Sequence, residues 1–231
     1  MQSIETDLAA EISVVYGYFA ALAPRFDPAV ALGGKLIFAG IYSQATTPLL
    51  RASGISGLGS LAICPDPSQQ REALRLGICD ILVTSLDEAL RILKVELRKR
   101  QSVSVLLSGD PATVAEEMLA RGLQPDLVAS AADPVLEKPF ARFVELGAQQ
   151  VEPQPMPEAH RLVLLNPPPG SYALLQSLDA KLQALVPESD HVTRRWLRLA
   201  PRFLGNRARR LRSIALPLAE ATALEAELAA L

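Results

Sequence analysis

The sequence predicts an α/β fold: a doubly wound, mostly parallel sheet with an added N-terminal helix and C-terminal helices. Three observations carry it. Apolar runs of strand length alternate with helical segments of ten or more residues, and parallel strands need crossovers of about that size. The strand runs are rich in Leu, Ile and Val without alternation, as in a sheet covered on both faces. Helix starts recur as Asp-Pro at Asp66-Pro67 and Asp110-Pro111, a capping acid followed by a residue that needs no N–H donor there.

In chain order, Ser3 is placed as the cap of a first helix reaching Leu22, with Leu8, Ile12, Val15, Phe19 and Leu22 near helical spacing. Asp27-Pro28 predicts a turn. Residues 35–39 read as a strand and 48–52 as part of a short helix. Gly54, Gly57 and Gly59 fall before a strand, fit no G-x-G-x-x-G pattern, and read as a tight helix-to-strand turn. Residues 60–64 form the second strand, and a helix from Pro67 ends near Gly77. Residues 80–84 are a short strand, and Ser85 with Glu88 makes a capping box for a helix to Arg100. Residues 103–107 are a strand, and a helix from Pro111 ends at Gly122. Residues 126–129 are a strand and 136–146 a helix. The proline-spaced segment 152–157 is an extended linker. A strand at 161–165, a turn at 166–170, and helices at 171–186, 190–199 and 207–231 complete the expectation, the last helix interrupted by Pro217. Residues 1–151 are thus one domain with its N-terminal helix, and 158–231 an Arg-rich extension, separate or packed on the same domain.

The chain has 231 residues, 49% of them hydrophobic, which suits a globular protein with a real core. No apolar run approaches the roughly 20 residues of a membrane span, and residues 1–7 lack the basic start of a secretory signal, so a cytoplasmic protein is expected. Cys64 and Cys79 fit neither a zinc nor a redox spacing and read as small buried hydrophobes. His160 and His191 lack partners at metal spacing. No nucleophile elbow, zinc-protease motif or phosphate-binding P-loop is present, so no catalytic or metal-ligating residue is assigned.

Several blocks, in the same order over residues 15–134, resemble the central nucleotide-binding domain of the urocanases (urocanate hydratases). They are "VVYGYFAALAPRF", "GGKLIFAG", "DPSQQREALRLGICDILVTSLDEALR" and "VSVLLSGDPATVAEEMLARGLQPDLV". The stretch "FARFVELGAQQVEP" echoes the helix and strand that follow that domain. The resemblance implies a Rossmann-like sheet. In the family it implies a tightly bound NAD that acts as an electrophile toward urocanate in histidine degradation.

The positions that would hold the cofactor depart from the family. Its glycine loop reads like "GLGGMGGAQ". Here Gly40 is kept, and Tyr42, Ser43 and Gln44 follow, placing side chains where a pyrophosphate needs close backbone N–H groups. The family's acidic residue at the end of the second strand corresponds to Cys64, which cannot accept two ribose hydrogen bonds. The Arg after its "DPS" corresponds to Gln69. Its Asn after the fourth strand corresponds to Asp110, beside Gly109. The family's large flanking regions have no counterpart here. The expectation is therefore a truncated urocanase-like protein without hydratase activity, a pseudoenzyme that binds a small ligand or a partner, with NAD implied by the family but its motif degraded. The candidate cofactor-contact positions are Gly40, Tyr42, Ser43, Gln44, Cys64, Gly109 and Asp110. The alternative is a divergent urocanase-type lyase using a nucleotide or metabolite at the same strand edge.

Residues 194–213 hold eight arginines and no acid, so the rest of a chain of net charge −2 carries −10. Arg195, Arg198, Arg202, Arg207, Arg209 and Arg210 are the candidate partner-binding set. A basic helix docked on the acidic remainder, within the chain or across a homo-oligomer, is favoured over nucleic acid, because few aromatics accompany the arginines. A membrane-surface helix ranks below both.

Overall fold

A computed structural model describes residues 2–130, 133–167, 172–205 and 210–229. The elements in order are α1 (Gln2–Leu22), β1 (Leu36–Ile41), α2 (Thr47–Ser56), β2 (Gly59–Ile63), α3 (Pro67–Arg75), β3 (Ile81–Val83), α4 (Leu86–Arg98), β4 (Val103–Leu107), α5 (Pro111–Ala120), β5 (Leu127–Ala129), α6 (Glu137–Glu145) and β6 (Gln149–Val151). There follow β7 (His160–Leu165), α7 (Tyr172–Leu185), α8 (His191–Phe203), β8 (Arg212–Pro217) and α9 (Leu218–Ala229).

The first six strands form one sheet in the order β3-β4-β2-β1-β5-β6, parallel throughout. The strand starts align: Leu36 and Val103 both lie opposite Gly59. The chain leaves β1 toward β2 on one side and returns to place β5 on the other. The switch point of the sheet therefore lies at the carboxyl ends of β1 and β5, where open α/β folds bind ligands.

Local chemistry sets the helix starts as expected. The carboxylates of Asp66 and Asp110 accept from the N–H groups of Ser68 and Thr113, and the Ser85 hydroxyl accepts from Glu88 N–H. Gly57 ends α2 with φ +87°, so the glycine-rich stretch is the helix-to-strand turn its composition implied. At the N-terminus α1 already includes Ser3, which therefore does not cap it; residues 2–7 contain no glycine or proline to stop the helix earlier.

The tail differs from the expected helices. Residues 206–209 and 230–231 lie outside the described residues, as do 168–171 of the turn before α7. Within the remainder, Arg212–Pro217 is a strand antiparallel to β7, with Ile214 opposite Val163. Within it Ser213, Ile214 and Leu216 are buried and Arg212 and Ala215 less so, and the continuous pairing with β7 along its whole length selects the strand. Pro217 ends this strand and α9 begins at the next residue.

The sheet core is the largest apolar cluster. A second cluster joins α1, α2 and α8 through Ile12, Val15, Phe19, Ile55, Trp196 and Ala200. Trp196 is 1% exposed, meets Tyr16 edge-on at 4.9 Å, and donates its indole N–H to the Ser213 carbonyl at 3.0 Å. A third cluster lies between β7–β8 and α7 and α9, and takes in Leu197. Neighbouring residues of α8 thus enter different cores, and α8 ties the C-terminal elements to the sheet unit.

Candidate functional site

The carboxyl edge of the sheet is built around the end of β1. The pairing of β1 with β2 slips between Phe38 and Gly40, and Gly40 has φ +80°, so the strand bulges there. A Cβ at Gly40 would lie 3.2 Å from Phe140 Cζ and 3.4 Å from Leu136 Cδ1. Both residues are fully buried, and the Phe38 and Phe140 rings pack at 5.2 Å. The glycine kept from the family pattern is in contact with hydrocarbon.

In the loop that follows, four of the six N–H groups from Tyr42 to Thr47 are spent within the chain. Tyr42 is buried, and its N–H donates to the Ile63 carbonyl at 2.7 Å. Ser43 N–H donates to Thr46 Oγ1 at 2.8 Å, and Thr46 N–H approaches Ser43 Oγ at 3.3 Å. Thr47 donates to the Ser43 carbonyl from its N–H at 3.1 Å and its hydroxyl at 2.9 Å. Pro48, in the first turn of α2, has no N–H to offer. Local hydroxyl-to-backbone bonds of this kind replace the ligand contacts that a helix N-terminus otherwise makes available. Gln44 stands exposed at the rim.

At the end of β2, Cys64 is fully buried with its Sγ 3.5 Å from the Asp66 carbonyl, and burial raises its thiol pKa. Beneath the rim, Gln70 ties two strand ends together: its side-chain amide donates to the Cys64 carbonyl at 2.7 Å and to Ser108 Oγ at 2.9 Å. A Cβ on Gly109 would lie 3.2 Å from Val114. The Asp110 carboxylate accepts from the N–H and hydroxyl of Thr113 at 2.9 and 2.8 Å, and these bonds hold it below its ordinary pKa. Asp66 is held low in the same way by Ser68. Asp133 caps the turn that carries Leu136. Carboxylates therefore stand at three of the chain turns along this edge.

The predicted cofactor positions thus gather at one edge, with Tyr42 and Cys64 buried, Ser43 and Asp110 bonded to their own turns, and Gln44 facing out. Sequence reasoning missed Gln70, Leu136 and Phe140. Gln70 falls four residues after the Asp66 cap, a local signal; Leu136 and Phe140 lie too far along the chain from Gly40 for any local pattern to show the contact. Among the described residues no group of three or more His, Cys, Asp or Glu is placed to hold a metal, and no helix is long and apolar enough to cross a membrane.

The arginines divide. Arg194 donates to the carbonyls of Pro187 and Val186 at 2.9 and 2.7 Å. Arg195 donates to Ile55 at 2.6 Å, and Arg210 to Pro167 at 3.0 Å. Arg212 pairs with Asp179. Arg198 and Arg202 are exposed, Arg202 lying over the Phe203 ring at 5.3 Å. Arg207 and Arg209 lie outside the described residues. Trp196 is too deeply buried to stack on a base.

The sequence profile of the urocanase Rossmann-like domain matches residues 32–136. A protein of Variovorax sp. (strain JCM 16519 / RA8) named S-methyl thiourocanate hydratase is 26% identical over 137 residues, which are 59% of this chain and 24% of that protein. The matched stretch thus spans about a quarter of the length of that relative. With the parallel sheet and its switch point in place, residues 32–136 form a urocanase-family Rossmann-like domain.

Proposed function

We propose that this domain keeps the urocanase scaffold without the family's cofactor chemistry, and that the chain is a binding module rather than a hydratase. The hydrogen-bonded knot of Ser43, Thr46 and Thr47 is the observation that carries the reading. A dinucleotide pyrophosphate is held by unspent backbone N–H groups at the first strand-to-helix turn. Here those of Tyr42, Ser43, Thr46 and Thr47 already have acceptors within the chain. Two further features point the same way. Leu136 and Phe140 fill the space beside Gly40, and the Asp66 and Asp110 carboxylates repel a phosphate. These residues do not fit the cofactor.

The test is incubation of the purified chain with NAD and urocanate, followed by ultraviolet measurement of urocanate and by mass analysis of extracted nucleotide. The reading expects an unchanged substrate and substoichiometric nucleotide. Turnover, or one NAD per chain, overturns it. The exposed Gln44 favours one second reading, a metabolite-binding enzyme at the same edge. Under that reading a thermal-shift hit from a metabolite screen disappears in Gln44→Ala.

A further inference from the structure

At the opposite, amino edge of the sheet a cleft of about 240 Å³ opens between residues 26–31 and the start of α8. Its charged walls are Asp27, Glu188, His191, Arg194, Arg195 and Arg198. We propose that this cleft binds a small phosphate-type oxyanion, free or as the terminal phosphate of a small metabolite. It is separate from the carboxyl edge and does not depend on how that edge is read.

The cleft is firmly built. Asp27 and Ala31 exchange backbone hydrogen bonds of 3.0 and 2.8 Å. The Asp27 carboxylate is turned inward on its own loop, accepting from the N–H groups of Ala29 and Val30 at 2.8 and 3.1 Å. On the facing side, backbone carbonyls fix two guanidinium groups, Arg194 against the end of α7 and Arg195 against the end of α2. Those acceptors are neutral, so they hold the groups in place without cancelling their charge. An arginine has five donors; Arg195 makes one carbonyl bond and Arg194 three, through Nε and one terminal nitrogen, so each keeps donors for a ligand.

Arg198 completes the set. Among the described residues it makes no hydrogen bond and no ion pair, and it acts on Arg195 as a like charge, which adds to burial in lowering the Arg195 pKa. Arg195 and Arg198 act on each other as like charges, neither has an ion-pair partner among the described residues, and an anion that bridges them relieves the repulsion. Asp27 and Glu188 oppose three arginines, so the cleft keeps a net positive charge even with His191 neutral. Its volume is enough for a phosphate group, and Trp196 is buried away from any base.

Isothermal titration of inorganic phosphate into the whole chain, at ionic strength held constant with chloride, tests the site. Arg195 also caps α2, so its replacement disturbs the fold; Arg198→Gln is the working variant and Arg202→Gln, one turn on and outside the cleft, the control. The expected result is one saturable site that weakens about tenfold or more in Arg198→Gln and is unchanged in Arg202→Gln. A phosphorylated three-carbon metabolite titrated in parallel separates the sources: tighter binding than inorganic phosphate assigns the metabolite, equal binding the free ion. No saturable heat up to about 10 mM phosphate overturns the proposal. So does equal weakening in both variants, which marks diffuse charge attraction, or oligonucleotide binding that phosphate does not displace.

Discussion

A single methyl group added at Gly40 meets two obstacles together. The backbone there has φ +80°, which costs an L-residue about 1–2 kcal/mol, and the new Cβ must press on Phe140 and Leu136. Gly40→Ala is expected to lower unfolding free energy by about 2 kcal/mol in urea titration; a neutral outcome means that Phe140 gives way and the edge is looser than its contacts imply. The two thiols offer a second check. Burial raises both, that of Cys79 to about 11. The folded state resists deprotonation, so this contribution to stability is full below the ordinary value of 9.0 and fades as pH climbs toward 11. Native protein at pH 8 is expected to leave both thiols unlabelled by a thiol reagent and to expose both in denaturant. Rapid labelling of the native chain contradicts the burial.

Among the helices, α8 carries the most consequence, because Trp196 joins it to α1 and to the β8 carbonyl at Ser213. Trp196→Ala is expected to cost about 3–5 kcal/mol, a large part of a typical domain's stability. A loss below about 1 kcal/mol in chemical denaturation assigns the docking of α8 to its arginines instead. The same region marks where local patterns stop being informative. The elements from β1 to α5 were legible because α3, α4 and α5 each start on their own capping acid or hydroxyl and each strand is its own apolar run. β8 was not: Leu211 and Ile214 fit a helical spacing equally well, and only pairing with β7, about 50 residues earlier, selects the strand. At the site, the caps at Asp66 and Asp110 could be read locally. The closure of Gly40 by Leu136 and Phe140 could not, nor the tie from Gln70 to Ser108, which needs β4 beside β2.

Across the molecule the two edges of the sheet differ in charge. Carboxylates of Asp66, Asp110 and Asp133 cap the turns of the carboxyl edge, while Arg194, Arg195 and Arg198 gather at the amino edge. A Rossmann-type domain ordinarily presents its anion-binding groups at the carboxyl edge; in this chain that edge is acidic and its loop bonded to itself. The most direct measurement is a calorimetric titration of NAD into the purified chain, with inorganic phosphate saturating so that the amino-edge cleft is already filled. No saturable heat up to about 1 mM NAD is the predicted result. One-to-one binding that Tyr42→Ala or Gly40→Ala abolishes would contradict it.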